Sequence, residues 1–293
     1  MKNYTKTGQI ILNAVFILIS AAYIFPLLLL ISISLSSEAS IKEFGYTLIP
    51  KVVDFTAYRM VFKQPDTIIN AYAVTIAFTA ITTLLSLIVM AMVAYPLSRK
   101  NCKFKNALSF YLFFTMLFSG GLVPSYIINS KYLHLDNNFW IYVLPALVSA
   151  WNVIIIRTFF QGLPSELVEA AKIDGASEIK IFYKMIIPLS TPVLATIAFM
   201  TLLAKWNDWN TTLIYIRNPK LYSLQYMLQR ILREAQYIKQ VANEGSGLFN
   251  SDDAPIESYR YAMAILAAGP MLVIFPIFQK YLTQGLVVGS VKG

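Results

Sequence analysis

Long apolar runs, separated by short charged segments, make up most of the chain. A helix needs about 20 apolar residues to cross the hydrocarbon core of a bilayer. Six stretches between charged residues reach that length, and each is dense in Leu, Ile, Val, Phe and Ala. They lie between Lys6 and Glu38, Asp66 and Arg99, Lys105 and Lys131, Asp136 and Arg157, Lys184 and Lys205, and Arg260 and Lys280. The pattern predicts an all-α membrane protein with six transmembrane helices, the first of which is too long for a cleavable signal.

The composition fits a protein whose solvent is largely lipid. Of the 293 residues, 57% are hydrophobic, 14% are aromatic and 13% are charged, whereas a soluble domain carries roughly 25% charged residues. One cysteine, Cys102, and one histidine, His134, argue against a metal cluster, a disulfide framework or histidine-based catalysis. Both are interpreted as ordinary loop residues.

The distribution of Lys and Arg orients the six spans. Cytoplasmic loops carry an excess of these residues, and segment 98–105 holds four of them whereas segment 130–136 holds one. Placing the first segment in the cytoplasm puts both termini and residues 157–188 inside the cell, and residues 36–67 and 207–259 outside. The net charge of +9 is then a topology signal. It does not indicate nucleic-acid binding, because no basic patch alternates with aromatic residues as in a single-strand groove.

The outer segment 207–259 contains two predicted parts. Residues 221–241 are predicted to form an amphipathic helix, since Leu224, Met227, Leu228 and Ile231 fall on one face. The stretch 243–255 is rich in Gly, Ser, Asn and Asp and is predicted to be a flexible loop.

A cytoplasmic stretch over residues 162–192 carries helix start and stop signals. Pro164 followed by Ser165 marks a helix start with Ser165 as the N-cap. Glu166 and Glu169 follow in the first turn, where acidic groups complement the helix dipole.

The same stretch then predicts a break and a second short helix. Asp174-Gly175 indicates a turn that glycine permits, and the second helix is expected over about residues 176–184. Pro188 and Pro192 open the fifth span. The result is a rigid helical elbow standing off the membrane, in which Ala170 and Ala171 present a slim surface to another protein. The alternative from periodicity alone is an ordinary cytoplasmic loop.

Three groups of residues resemble known transporter motifs. They are Glu169-Ala170-Ala171 with Asp174-Gly175-Ala176 and Pro188, preceded by Phe160, Gly162, Leu163 and Pro164; Trp206-Asn207-Asp208-Trp209; and Phe278-Gln279-Lys280-Tyr281 with Gly285-Leu286 and residues 289–293. The first resembles the EAA loop of type I ABC importer permeases. The second and third resemble carbohydrate permeases of the maltose type, in particular the subgroup for oligosaccharides and polysaccharide fragments that includes alginate permeases.

The resemblance implies a non-catalytic, multi-pass permease subunit in a bacterial cell membrane, either the inner membrane or the plasma membrane of a cell without an outer one. Its partners would be a second homologous permease, two ATPase subunits and an extracytoplasmic solute-binding protein. The chain would bind no cofactor itself, and ATP with Mg would bind on the ATPase. The chain has no Gly-x-x-x-x-Gly-Lys-Ser/Thr segment with which to cradle phosphates. The residues expected to couple to the ATPase are Glu166, Glu169, Ala170, Ala171, Asp174, Gly175 and Ala176.

The resemblance also suggests how the chain is organised. Residues 1–69 would hold the first transmembrane helix and an outer segment. Residues 70–293 would form the permease core, with spans two to six, the elbow at about 164–184, the outer loop 207–259 and a cytoplasmic C-terminal tail that either enters the ATPase interface or is solvated.

Residues that touch the transported solute are harder to predict. Polar groups within spans usually face the bundle interior or a water-filled cavity. The candidates are Asn70, Tyr72, Trp151, Asn152, Asn207 and Asp208. Tyr and Trp also belt membrane interfaces, Asn also bonds neighbouring helices, and in some relatives the partner permease makes every substrate contact.

Other classes of function remain as alternatives. An ABC permease for another solute would keep the same fold. An ion-coupled secondary transporter usually carries buried acidic groups and inverted repeats, whereas the span interiors here hold essentially no acid. A membrane-embedded enzyme is the weakest alternative, because the sequence offers no histidine–carboxylate or metal set.

Overall fold

The computed structural model describes residues 6–63, 65–243 and 256–288 of the chain, and these residues are predominantly helical. The α-helices are α1 Lys6–Ser34, α2 Glu38–Phe44, α3 Thr56–Val61, α4 Pro65–Ser98, α5 Lys105–Leu117, α6 Leu122–Ile127, α7 Ala150–Gln161, α8 Ser165–Ile173, α9 Glu178–Ile181, α10 Ile187–Leu189, α11 Thr191–Trp206, α12 Asn210–Tyr215, α13 Leu224–Asn243 and α14 Ile256–Val288. Helices α6 and α9 continue as π-helical turns, Ile128–Tyr132 and Phe182–Ile186, and short 3₁₀ segments cover Phe139–Tyr142, Leu144–Ala146 and Pro219–Leu221.

The membrane-spanning segments are of two kinds. Lys6–Ser34, Pro65–Ser98 and Glu257–Leu282 are continuous helices that are long and apolar enough to cross a bilayer. Three bent pairs also qualify: Lys105–Leu117 with Leu122–Tyr132 at 113°, Phe139–Ala146 with Ala150–Gln161 at 46°, and Glu178–Leu189 with Thr191–Trp206 at 77°. With each pair taken as one span, the described residues hold six candidate spans, which correspond to the six apolar stretches of the sequence.

The bends have local causes that apolar length does not reveal. Helix α5 has 13 residues, so it is about 20 Å long and too short to cross a core of about 30 Å. It ends before Gly121, whose φ of +83° is a left-handed conformation that glycine adopts without strain. In the second pair, α7 starts afresh because the Ser149 hydroxyl accepts a hydrogen bond from the Asn152 N–H.

The described chain divides into two compact units. One is built from the described residues of Met1–Ile68 and Leu228–Gly269, and the other from those of Ile69–Met227 and Pro270–Gly293. In the first unit, α1 buries only its last turn, Ser32, Ile33 and Ser34. Most of the other side chains of this apolar helix are exposed.

The segment that follows α1 in the first unit folds back on itself. Ser36 and Val53 pair through an isolated antiparallel bridge. Thr56 donates its N–H and hydroxyl to Asp54 Oδ1 at 2.9 and 2.7 Å, and these bonds lower the pKa of the Asp54 carboxyl. A hydrogen bond with Tyr261 raises the pKa of Tyr46 to about 12.

Glu38 joins this segment to the start of the last helix. Its Oε2 accepts hydrogen bonds from the Glu257 N–H at 3.2 Å, the Ser258 N–H at 3.3 Å and the Ser258 hydroxyl at 3.3 Å. The first N–H groups of a helix have no partner within the helix, and a carboxylate there is also favoured by the helix dipole. The side chain of Glu38 therefore caps α14.

Two apolar clusters form the core of the second unit. The larger cluster packs the C-terminal half of α4 against α7, the elbow and α11. The smaller one centres on Tyr142, whose ring stacks on Phe78 with centroids 4.3 Å apart. Tyr142 is fully buried, and its hydroxyl bonds to the Thr212 hydroxyl at 2.7 Å and the Leu221 carbonyl at 2.8 Å.

The predicted amphipathic helix at 221–241 is confirmed as α13, Leu224–Asn243. Its first residue is fixed because the Leu224 N–H donates to the Thr75 hydroxyl at 2.9 Å. The rest of the flexible loop predicted over 243–255 and the tail at 289–293 lie outside the described residues.

Replacing Glu38 by Ala should lower the midpoint of thermal unfolding of the solubilised protein by about 5 °C, since hydrogen bonds to a charged acceptor are lost. Differential scanning fluorimetry in detergent measures this change. Glu43→Ala is the matched control, because Glu43 is an exposed acidic residue on the same helix. Equal midpoints for the two variants would show that the Glu38 cap is not stabilising.

Candidate functional site

The elbow, residues 164–184, consists of α8 and the turns that begin with α9. Three side chains anchor it to the larger apolar cluster: Val168 from α8, Ile181 from α9 and Phe182 from the π-helical turn, which are 5%, 0% and 7% exposed. Because each half of the elbow places at least one side chain in the core, the elbow cannot move without moving its neighbours.

The end of α8 is closed by two backbone hydrogen bonds. The Ala176 N–H donates to the Ala171 carbonyl at 2.9 Å, and the Gly175 N–H donates to the Lys172 carbonyl at 3.0 Å. This is the Schellman arrangement, which requires a left-handed residue between the helix and the next segment. Gly175 has a φ of +78°, and a Cβ added at that position would meet no other atom within 4 Å. Glycine is therefore favoured here for its backbone conformation and not because a side chain would lack space.

The Ala and Glu positions of the motif divide into two faces. Ala171 and Ala176 are half-buried against the larger cluster. The exposed positions are Glu166, Glu169, Ala170, Asp174 and Gly175. Part of the motif therefore packs the elbow onto the core, and the other part is presented to a partner.

The elbow also exposes apolar residues that the sequence pattern did not single out. Ile173 is 87% exposed and Ile179 is 72% exposed, and Leu167 is 42% exposed on the same helix as Ile173. A large aliphatic side chain that is almost fully exposed is costly in water unless another surface covers it. The sequence did contain a signal for this exposed surface. Ile173 is a large apolar residue in the last turn of α8, directly before the Asp174-Gly175 break.

One detail of the predicted elbow is wrong, and one approximate boundary shifts by two residues. Ser165, the predicted N-cap, is the first helical residue, and Pro164 holds the cap position without a side-chain hydrogen bond. The second helix starts at Glu178, because Ser177 caps it by accepting the Lys180 N–H at 3.3 Å. The predicted break at Asp174-Gly175 and the prolines at the start of α10 and α11 are as expected.

Three of the candidate solute contacts lie near one another in the second unit. The Asn70 amide donates to the Lys220 carbonyl at 2.6 Å, and the Tyr72 ring lies 6.5 Å from the Trp206 ring. Asn207, next along the chain, is exposed and accepts a weak hydrogen bond from Gln225 at 3.4 Å.

Asp208 differs from these because its carboxylate is already engaged. It accepts from Lys205 Nζ at 2.9 Å, and it caps α12 by accepting from the N–H and the hydroxyl of Thr211 at 3.0 and 2.8 Å. Its side chain is 13% exposed. The carboxylate of Asp208 therefore holds the turn between α11 and α12.

Trp151 and Asn152 lie apart from this group, in the first turn of α7. The Trp151 side chain is 57% exposed, and Asn152 is half-buried.

Comparison with known proteins adds to this geometry. A family model described as binding-protein-dependent transport system inner membrane component matches residues 55–288. The chain is 35% identical over 292 residues to protein LplC of Bacillus subtilis, covering 99% of this chain and 97% of that one. It is 33% identical over 271 residues to the polygalacturonan/rhamnogalacturonan transport system permease protein YtcP of the same organism, covering 92% and 93%.

A solved structure is similar over nearly the whole chain. It is described as the crystal structure of a bacterial ABC transporter involved in the import of the acidic polysaccharide alginate. The match has a TM-score of 0.81 and 26% sequence identity, and it covers 96% of this chain and 100% of the other.

Substitutions at Gly175 should separate backbone conformation from side-chain size. Gly175→Asn should be nearly neutral, because Asn tolerates the left-handed region. Gly175→Ala should cost about 1 kcal/mol of stability. Gly175→Pro should open the elbow, since proline fixes φ near −65° and removes the N–H that bonds Lys172. Limited proteolysis of the solubilised protein detects opening at residues 164–184, and equal protection of the Pro and Asn variants would contradict this account.

Proposed function

Because this chain belongs to the family of binding-protein-dependent transport system inner membrane components, we propose that its elbow couples the membrane bundle to a separate ATPase. The chain is a permease subunit of an ABC importer, and its relatives include permeases for sugars and oligosaccharides. A permease of this kind forms part of a transport pathway and depends on a separate ATPase for energy. The elbow is the part of the chain best suited to contact that ATPase.

The main observation behind the proposal is that the elbow is anchored in the core by buried residues and also exposes a large apolar side chain. Val168 and Ile181 fix it to the packed core, while Ile173 extends 87% exposed from the same short structure. An exposed apolar side chain gives a partner protein a surface to bind. Because the elbow is also packed into the core, a partner that moves this surface moves the core with it. A closing ATPase would therefore move the elbow and the attached spans together.

The residues of the elbow take distinct roles in this proposal. The exposed carboxylates of Glu166 and Glu169 pair with basic groups of the ATPase, and Ala170 lets the two surfaces approach closely. Ala171 and Ala176 hold the elbow against the core. Asp174 and Gly175 supply the turn that sets the angle between the two halves.

The proposed assembly has further members. A second, homologous permease completes the pathway, two ATPase subunits bind beneath the pair, and an extracytoplasmic solute-binding protein delivers cargo. ATP and Mg bind on the ATPase subunits, and this chain binds no cofactor. Both termini and the elbow face the cytoplasm, in keeping with the four basic residues of segment 98–105.

The proposed cargo is an oligosaccharide or polysaccharide fragment, with uronic-acid polymers as the first class to test. YtcP is named for polygalacturonan and rhamnogalacturonan, and the similar solved structure for alginate. At the outer end of the pathway, Arg217 and Lys220 are exposed on the loop that Asn70 contacts. These cations suit an anionic sugar. Tyr72 and Asn207 are the proposed neutral contacts, and Trp151 and Asn152 are candidates further along the pathway.

Replacing Ile173 by Asp should reduce co-purification of the ATPase and cargo-stimulated ATP hydrolysis at least about tenfold, because a charge replaces the apolar contact. Glu169→Lys should have a similar effect on stimulation through charge repulsion. Ile173→Leu is the matched control, since it keeps an apolar side chain of equal size. Wild-type stimulation in both Ile173→Asp and Glu169→Lys would overturn the coupling role.

Proteoliposomes containing the whole complex test the energy source and the cargo. Oligogalacturonate or alginate oligosaccharides, presented with the binding protein, should stimulate ATP hydrolysis and uptake when all ion gradients are collapsed. Neutral malto-oligosaccharides are the control. Stimulation by the neutral sugars alone would reject the uronate assignment, and uptake that requires an ion gradient would reject the ATP-driven mechanism.

A further inference from the structure

The carboxylate of Glu178 connects both halves of the elbow to the second span. Its Oε1 lies 2.6 Å from the Nζ of Lys172, in the last turn of α8. Its Oε2 accepts a hydrogen bond from the Tyr95 hydroxyl at 2.6 Å. Tyr95 belongs to α4, so one carboxylate joins α8, α9 and α4.

The two contacts of Glu178 join different elements. The ion pair with Lys172 lies within the elbow and is exposed on both sides, at 45% and 53%, and pairs of this kind contribute little in water. The hydrogen bond from Tyr95 is also exposed, but it is charge-assisted, a class stronger than neutral hydrogen bonds. It is this contact of Glu178 that reaches α4.

The ring of Tyr95 is held in place by two neighbours. The guanidinium carbon of Arg99 lies 4.5 Å from the ring centroid, within the range of a cation–π interaction. The Phe182 ring lies 5.0 Å away at an angle of 51°. Because Phe182 is itself buried in the larger cluster, the hydroxyl of Tyr95 is directed at Glu178 by packed groups.

The helix next to Tyr95 is able to bend. Pro96 lies inside α4, and a proline removes the hydrogen bond to the carbonyl four residues earlier, here that of Met92. Met92, Tyr95, Pro96 and Glu178 all line one open cavity of about 490 Å³. The cavity leaves open space on one side of the contact between Tyr95 and Glu178.

We propose that Tyr95 is a positioning residue that transmits movement of the elbow to the second span through its hydrogen bond to Glu178. This inference rests on the proposed coupling function. When the ATPase displaces the elbow, Glu178 carries the Tyr95 hydroxyl with it, and the part of α4 that precedes Pro96 moves as one continuous helix. Neither residue touches cargo or nucleotide.

If the contact between Tyr95 and Glu178 only stabilised the elbow, removing it would give a different experimental result. A brace that only stabilises the elbow affects how much ATPase binds, whereas a transmitting contact affects how much cargo moves for each ATP hydrolysed. The ratio of cargo transported to ATP hydrolysed by the assembled complex distinguishes the two, and it is measured in proteoliposomes.

Tyr95→Phe removes only the hydroxyl and keeps the ring between Arg99 and Phe182. The transport-to-hydrolysis ratio should fall about tenfold, the scale of one hydrogen bond to a charged group, while the ATPase co-purifies as in the wild type. Tyr183→Phe is the matched control, because Tyr183 lines the same cavity and makes no side-chain hydrogen bond to the described residues. An unchanged ratio in Tyr95→Phe, or loss of ATPase binding, would overturn the inference.

Glu178→Gln gives an independent arm of the experiment. Glutamine still accepts a hydrogen bond but carries no charge, so the ratio should fall less than in Tyr95→Phe. The double variant should lose little beyond Tyr95→Phe alone, since both changes act on the same Tyr95–Glu178 hydrogen bond and the exposed pair with Lys172 contributes little; additive losses would contradict this.

The outcome for Ile173→Asp separates this inference from the proposed function. If that variant loses the ATPase while Tyr95→Phe keeps a wild-type ratio, only the role of Tyr95 is wrong. If Ile173→Asp keeps full ATPase binding and stimulation, the coupling function itself is wrong.

Discussion

The geometry of the elbow depends on one left-handed turn. At Gly175 the chain leaves α8 with φ of +78°, and the N–H groups of Gly175 and Ala176 return to the carbonyls of Lys172 and Ala171. Helix ends normally leave carbonyls without partners, and here the turn satisfies two of them while reversing the chain. The same turn brings Glu178 within 2.6 Å of Lys172. Without it, α8 and α9 would not act as one rigid body.

The motif that resembles the EAA loop therefore encodes a fold as well as a recognition surface. Ala170 and Ala171 are adjacent in sequence, yet Ala170 is exposed and Ala171 packs on the core. Small residues serve both positions for different reasons: the first permits close approach from outside, and the second lets α8 lie close to the cluster beneath it. A similar division holds in Trp206-Asn207-Asp208, where Asn207 is exposed and Asp208 holds the turn into α12.

The sequence predicted the features that depend on local residue patterns, such as the spans and the elbow. It did not predict the features that depend on contacts between distant parts of the chain. Apolar length located the six candidate spans of the described residues, three of them bent pairs. It could not show the 113° bend after α5, because a continuous helix and a bent pair have the same composition; Gly121 was the available signal. The cap predicted at Ser165 is off by one residue, since a proline can occupy the cap position without capping. Tyr95 and Glu178 are separated by 83 residues, so no periodicity could pair them.

The arrangement of the two clusters in the second unit explains why α4 is the span on which elbow movement should act. Helix α4 contributes Phe78 to one cluster and Ala94 to the other, and it is continuous between them because Pro96 comes later in the helix. The pair formed by Phe139–Ala146 and Ala150–Gln161 also reaches both clusters, but it is bent by 46° between them. A continuous helix transmits displacement along its axis, whereas a bend absorbs part of it by changing its angle. Movement that enters beside Tyr95 therefore reaches the cluster around Tyr142 most directly along α4.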